Sequence, residues 1–328
     1  MIFYRKEKDK IVCLLCSYYC RLKDNQIGVC GVNQNLKNTL KCLVYGHVSA
    51  LNIDPIEKKP LYHFLPSSNS LSIGTVGCNF RCSFCQNWQI SQTKKIDKSS
   101  YFSPNLLVKI AQDKKCKSIS YTYNEPTIFY PYAKDIAIKA KEVNIKSVFV
   151  SNGFFSKEVI DDMTDVIDAA NIDLKSFNQN YYKKSLGGNL QTVCNNLIKL
   201  KKNGVHLEVT TLLIPTINDS QKEIQSIVKF IKNSLGEDTP WHISAFHPDY
   251  KATNIIKTSK DSLVLAFEIA KKNGLNYVYI GNSDFKNNTI CKTCGEILIQ
   301  REYFFVIKNT VLNECCPKCG TNIYGVFQ

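Results

Sequence analysis

The 328-residue sequence has no uninterrupted apolar run near the roughly 18 residues needed to cross a bilayer. Its first ten residues are charged and lack the apolar stretch of a secretory leader, so a cytoplasmic protein without a membrane span is expected. Arginine is scarce, with only Arg5, Arg21, Arg81 and Arg301 among 42 basic residues. Dispersed lysine is usually a solvated face, and base-stacking aromatics are not interleaved with arginine. The formal net charge of +14 therefore comes without a nucleic-acid motif. Metal-bound cysteines are thiolates, so three filled cysteine sites would bring the net charge down to about +9.

Cysteine is what the chain has in excess: fifteen, most of them in short-spaced groups. In a reducing compartment this favours metal ligation over disulfides. The groups suggest a Cys-rich N-terminal segment over residues 1–64, a core over 65–285 and a Cys-paired module over 286–328. Within the core, β-branched runs at 71–76, 118–123, 147–151, 170–174, 207–213, 243–246 and 276–280 read as strands. Helical patterns such as 128–143, 190–203 and 220–235 alternate with them. The expected fold class is α/β, a partial (β/α)6-type barrel, since six or seven units are too few to close an eightfold one. Functional residues should gather at the carboxyl ends of the strands.

Cys78, Cys82 and Cys85 follow the first of these strands with Cys-x3-Cys-x2-Cys spacing. Three thiolates on one loop can each hold an iron of a 4Fe-4S cubane, leaving the fourth iron open to a substrate. A zinc site completed from elsewhere, or plain buried thiols, is the simpler alternative. Beyond the trio, polar residues end the later strands. Asn124 and Glu125 follow the second, where Glu125 is either a ligand for an ammonium group or a helix-start residue favoured by the dipole. Ser151 and Asn152 follow the third. Asn171, Asp173 and Lys175 share one face of the fourth, which is costly inside a barrel unless paired or liganded. His247 ends the sixth, either beside a ligand or as a satisfied structural histidine.

Two flanking cysteine sets remain. Cys291-x2-Cys294-Gly and Cys316-x2-Cys319-Gly are paired knuckles suited to tetrahedral zinc, or to one iron in rubredoxin fashion, with Cys315 as a non-ligand neighbour. Cys13, Cys16, Cys20 and Cys30 would complete a further site, an auxiliary 4Fe-4S cluster or zinc, and their spacing does not choose between them. Cys42, Cys116 and Cys194 stand alone and read as packing residues.

The cysteine trio, with the aromatic Phe84 before its last member, resembles the radical S-adenosylmethionine (SAM) superfamily. The leading Cys-x2-Cys-x3-Cys, residues 54–64, Gln86-Asn87, the 122–127 stretch, Tyr279-Ile280-Gly281-Asn282 and the terminal ribbon look like radical SAM enzymes of the AmmeMemoRadiSam system, relatives of the pyruvate formate-lyase activating enzymes. The resemblance implies a radical SAM barrel and reductive cleavage of SAM at the 4Fe-4S cluster to a 5'-deoxyadenosyl radical, which abstracts hydrogen from an unidentified substrate. It also implies that Phe84, Asn124, Glu125, Ser151, Asn152, Asp173, Lys175 and His247 bind SAM. One departure is clear: the Asp-Thr-Asn-Gly of the activating enzymes reads Val150-Ser151-Asn152-Gly153 here, which puts a cation site at that aspartate in doubt. Expected partners are a one-electron donor of the flavodoxin or ferredoxin class, with Memo-like and AMME-chromosomal-region-like proteins as pathway partners. A glycyl-radical-enzyme activase is the alternative within this chemistry. From another class comes a noncatalytic metal-binding module that contacts nucleic acid.

Overall fold

The N-terminal segment consists of three short antiparallel strands, β1 (Tyr4–Glu7), β2 (Lys10–Cys13) and β3 (Arg21–Lys23), and a hairpin of β4 (Asn33–Leu36) and β5 (Thr39–Cys42) in the computed structural model, which describes residues 2–328. An eight-stranded sheet follows: β6 (Ala50–Pro55), β7 (Asn69–Gly74), β8 (Ser118–Tyr121), β9 (Lys146–Ser151), β10 (Ala169–Asp173), β11 (His206–Leu213), β12 (Trp241–Ala245) and β13 (Val278–Gly281). Strands β7 to β13 are parallel and lie in sequence order. The two ends of this order, β6 and β13, do not pair, so the sheet is an open partial barrel. All seven expected strands form within a few residues of their anticipated ends.

Strand β6 was not anticipated. It pairs antiparallel with β7, Ala50 opposite Gly74, and ends at Pro55, an edge position where a missing N–H is harmless. It lies within residues 1–64, so the sheet draws one strand from the expected N-terminal segment.

Helices α1 (Trp88–Ser91), α2 (Pro104–Asp113), α3 (Tyr130–Glu142), α4 (Lys157–Met163), α5 (Gln179–Tyr181), α6 (Leu190–Lys202), α7 (Gln221–Phe230) and α8 (Lys260–Lys272) connect the strands. Their starts are set locally. Ser103, Ser156, Asn189, Ser220 and Ser259 each accept a backbone N–H of the first turn, satisfying donors that have no helical partner. The apolar faces of the helices pack on Ile73, Ile119, Phe149, Ile172, Val209 and Ile243 from the sheet. None of the described helices is long and apolar enough to cross a membrane.

Alternation gives the sheet a second, polar inner face. Along β11 it carries His206, Glu208, Thr210 and Leu212, and along β12 His242 and Ser244. The amino ends of these strands bury one polar cluster. Glu208, fully buried, accepts the backbone N–H groups of Tyr62 (3.0 Å) and His63 (2.7 Å) and contacts the ring nitrogens of His206 (3.0 Å) and His242 (2.6 Å). Burial works to raise its pKa, but the His206 and His242 rings hold its carboxyl well below the usual carboxylate range.

The C-terminal sheet, β14 (Thr289–Ile290), β15 (Ile297–Glu302) and β16 (Phe305–Asn309), docks at this same end. Buried Arg301 donates to Tyr62 O at 2.6 Å, and the Tyr324 ring stacks on His206. The module thus seals the end of the barrel opposite the carboxyl ends of the strands.

Candidate active site

The loop that leaves β7 carries the cysteine trio, and its path is fixed by contacts rather than by regular structure. Gly77 has φ 88°, and a Cβ there would lie 2.6 Å from the Cys30 carbonyl oxygen, so only glycine fits between the two loops. Asn124, just beyond β8, staples the loop: its amide donates to Thr75 Oγ1 (3.0 Å) and Gly77 O (2.9 Å) and accepts from Thr75 N (3.2 Å). Phe80 N–H meets Cys78 Sγ at 3.3 Å, and Ser91 Oγ lies 3.1 Å from Cys85 Sγ.

The three cysteines face a cleft whose other walls come from the carboxyl ends of the following strands. Cys78, Cys82, Phe84, Cys85, Asn124, Glu125, Ser151, Asn152, Asp173 and Lys175 all line it, so the structure gathers residues spread over about a hundred positions. Lys175 forms an ion pair with Asp173 at 2.8 Å and lies over the Phe84 ring, 5.9 Å from its centre. The charged face expected on β10 is therefore real and internally paired. His247 is the exception: it is exposed on the loop after β12 and does not line the cleft, whereas Ser244 on the inner face of β12 does.

Glu125 does two things at once. It caps the 3-10 turn Pro126–Phe129 through Thr127 N–H (3.0 Å), and it accepts from Ser151 Oγ (2.7 Å), Asn152 N–H (2.8 Å) and the Thr127 hydroxyl. Three of these donors converge on Oε1 and only Asn152 N–H reaches Oε2, which keeps an accepting site, and burial raises the Glu125 pKa. The side chain ties the loops after β8 and β9 together. Asn152, fixed this way, donates to Asn79 Oδ1 at 2.7 Å, which anchors the cysteine loop from a second side. Asn79 carried no signal in the sequence beyond lying inside the trio.

Two of the thiols, Cys78 and Cys82, are held protonated. Burial and then the neighbouring Glu125 charge push Cys78 well up, and burial lifts Cys82 to about 11 against the pull of Lys175. Thiolates here need a bound cation to form. A single tetrahedral zinc with 2.3 Å bonds draws its sulfurs to about 3.8 Å from one another. Among the described residues, Cys291, Cys294, Cys316 and Cys319 are the one group of three or more His, Cys, Asp or Glu whose ligand atoms all lie within 4.8 Å of one another. The wider trio, open to a cleft on one side, fits a cubane that leaves one iron without a protein ligand.

In the C-terminal module Cys291 and Cys319 lie 3.6 Å apart and Cys294 and Cys316 3.7 Å apart, near the tetrahedral spacing. Gly295 and Gly320 both have φ 73°, which lets each knuckle turn back on its sulfurs. Cys315 stands outside the group.

Comparison with known proteins agrees with this geometry. Residues 72–231, from β7 to the end of α7, match the model of the Radical SAM superfamily. An uncharacterized protein of Methanocaldococcus jannaschii is 40% identical over 98% of both chains. The pyruvate formate-lyase-activating enzyme of Clostridium pasteurianum is 24% identical over 56% of this chain and 83% of its own. The crystal structure of a radical SAM methyltransferase from Sphaerobacter thermophilus superposes with a TM-score of 0.53 at 14% identity, covering 66% of this chain and 67% of that one, a likeness of fold. With a three-cysteine loop at the head of a parallel open barrel and a superfamily match that begins in the strand before it, the chain carries a domain of the radical SAM superfamily.

Proposed function

We propose that this radical SAM enzyme binds a 4Fe-4S cluster at Cys78, Cys82 and Cys85 and cleaves SAM reductively to a 5'-deoxyadenosyl radical, which abstracts hydrogen from the substrate. One observation carries this reading: three free, unpaired thiols stand on one loop, facing a cleft lined by polar ends of β8, β9, β10 and β12. When bound, the cluster supplies the electron and an iron open to the methionine moiety. The protein's own residues hold the loop and the cleft in register: Asn124 and Asn79 fix the loop, Glu125 fixes Asn152, and Asp173 anchors Lys175 beside Phe84. Ser151, Asn152, Asp173, Lys175 and the remaining acceptor site of Glu125 Oε2 are the polar groups offered to SAM, and His247 contributes only if its loop folds inward. The C-terminal module is assigned one structural zinc. The basic ribbon gives no support to nucleic-acid contact, since Lys292 and Lys318 pair with Asp238 and Glu296.

The sequence likeness to a pyruvate formate-lyase-activating enzyme favours a second reading, in which the substrate is a protein glycine. The resemblance to the AmmeMemoRadiSam system points instead to a pathway shared with Memo-like and AMME-chromosomal-region-like proteins, with a flavodoxin- or ferredoxin-class donor.

Electron paramagnetic resonance tests the cofactor assignment. SAM added to the reduced, reconstituted protein should change the cluster signal, and Cys82→Ala should abolish that response. A signal indifferent to SAM would contradict the reading. Incubation with glycyl-radical candidates, and separately with Memo-like and AMME-chromosomal-region-like proteins, distinguishes the substrates, because only an activase leaves a glycyl radical on its partner.

A further inference from the structure

The four N-terminal cysteines converge directly behind the cysteine loop. Cys13 ends β2, Cys16 and Cys20 lie between β2 and β3, and Cys30 precedes β4. All four are free; Cys13, Cys16 and Cys30 are buried, and Cys20 is half-buried. Their backbones are tied together, with Cys13 N–H donating to Cys20 O at 2.9 Å. A Cβ on Gly28 would lie 3.6 Å from Cys20 Sγ, and the turn closed by Gly31 N–H to Gly28 O (2.9 Å) carries Cys30 round beside it.

Two features bear on what this quartet could bind. An N–H donor faces one of the sulfurs, Asn33 Nδ2 lying 3.5 Å from Cys30 Sγ. Phe80 N–H stands in the same relation to Cys78 Sγ in the radical-site loop. The second feature is spacing. No three of these sulfurs come within 4.8 Å of one another, unlike those of the C-terminal ribbon and like those of Cys78, Cys82 and Cys85. One zinc would require the tight arrangement; a cubane places each thiolate on its own iron corner.

The quartet also shares a wall with the trio. The Cys30 carbonyl closes on Gly77, and Cys30 and Cys78 line one small cleft. Asn79 lines the same cleft; its Oδ1 accepts from Asn152, while its Nδ2 is buried and without a hydrogen-bond partner.

We propose that Cys13, Cys16, Cys20 and Cys30 bind a second 4Fe-4S cluster, fully ligated by the protein, that serves as a one-electron centre beside the radical site. The cluster would take one electron from an external ferredoxin- or flavodoxin-class donor, moving from the 2+ to the 1+ state, and return to 2+ on passing it toward the Cys78 loop. The ligand assignment stands on the quartet's own geometry. Only the role rests on the radical SAM reading.

Acid-labile sulfide tests the site, because a mononuclear zinc or iron site contains none. Anaerobically reconstituted wild-type protein should carry about eight sulfides per chain, and Cys78→Ala/Cys82→Ala/Cys85→Ala and Cys16→Ser/Cys20→Ser about four each. Cys42→Ser, beside Cys30 but outside the set, should keep the wild-type content. The trio-less protein, once reduced, should show a cluster signal that ignores SAM, the quartet-less protein one that responds to it, and wild type mutual broadening of the two. Single variants Cys82→Ala and Cys20→Ser, checked for native circular dichroism, repeat the comparison if a multiple variant fails to fold. Trio-less protein that holds zinc or no metal, without sulfide, overturns the second cluster. Trio-less protein that keeps its sulfide, alongside quartet-less protein blind to SAM, overturns the radical reading and leaves the second cluster standing. Two independent, unbroadened signals in wild type would refute the role as neighbouring electron centre.

Discussion

Lowering the pH should destabilise this protein through His63. His63 is fully buried, with Nδ1 2.6 Å from Tyr324 O and Nε2 2.6 Å from the Tyr279 hydroxyl. A neutral ring donating from Nδ1 and accepting at Nε2 satisfies both. Burial holds its pKa down at about 4, the nearby Glu208 charge opposing and Arg301 and His206 reinforcing the shift. The unfolded chain titrates at about 6.5, so on acidification it takes up the proton first. The stability contributed by His63 is complete above that pH and is lost as the pH falls toward the folded value, by about 2 kcal/mol at pH 5. His63→Gln removes this titration while His206, Glu208 and Arg301 remain. Urea unfolding at pH 7 and pH 5 should show a drop about 2 kcal/mol larger in wild type than in the variant. Equal drops would refute the buried neutral histidine.

Two further outcomes follow from the site and the ribbon. Asn124→Ala loses both donated bonds and the accepted one that fix the cysteine loop, and should lower stability by about 2–3 kcal/mol with a matching fall in sulfide bound at the trio, read from urea midpoints and sulfide assays. Cys294→Ser should take zinc from about one per chain to none and expose residues 286–328 to protease, leaving the cluster signals in place; retained zinc would place the metal elsewhere.

The barrel and its cysteine loop were legible because their signals are local. Ile119 and Tyr121, or Ile172 with Asn171 and Asp173, show strand alternation within five residues, and three cysteines within eight positions need no tertiary information. Cys13 and Cys16 were likewise visible as a pair, but zinc and cluster differ in sulfur spacing, which only the fold sets. The missed features depend on residues far apart. Glu208 reads as an ordinary polar residue in a strand until Tyr62, His63, His206 and His242 close around it. Glu125 reads more readily as a ligand than as a helix-start residue, and only the arrival of Ser151 and Asn152 shows that it also ties two loops together. Strand β6 ends in proline and needs β7 beside it to be a strand at all. His247 shows the limit of alternation: β12 stops at Ala245, and beyond a strand end the pleat no longer decides which way a side chain faces.

The central claim is that the Cys78, Cys82, Cys85 loop and its cleft cleave SAM. Reconstituted protein given dithionite and SAM under anaerobic conditions should release 5'-deoxyadenosine and methionine in equal amounts, and Cys82→Ala should release neither. Release that survives in Cys82→Ala, or its absence from wild-type protein that carries an intact cluster, would contradict the account.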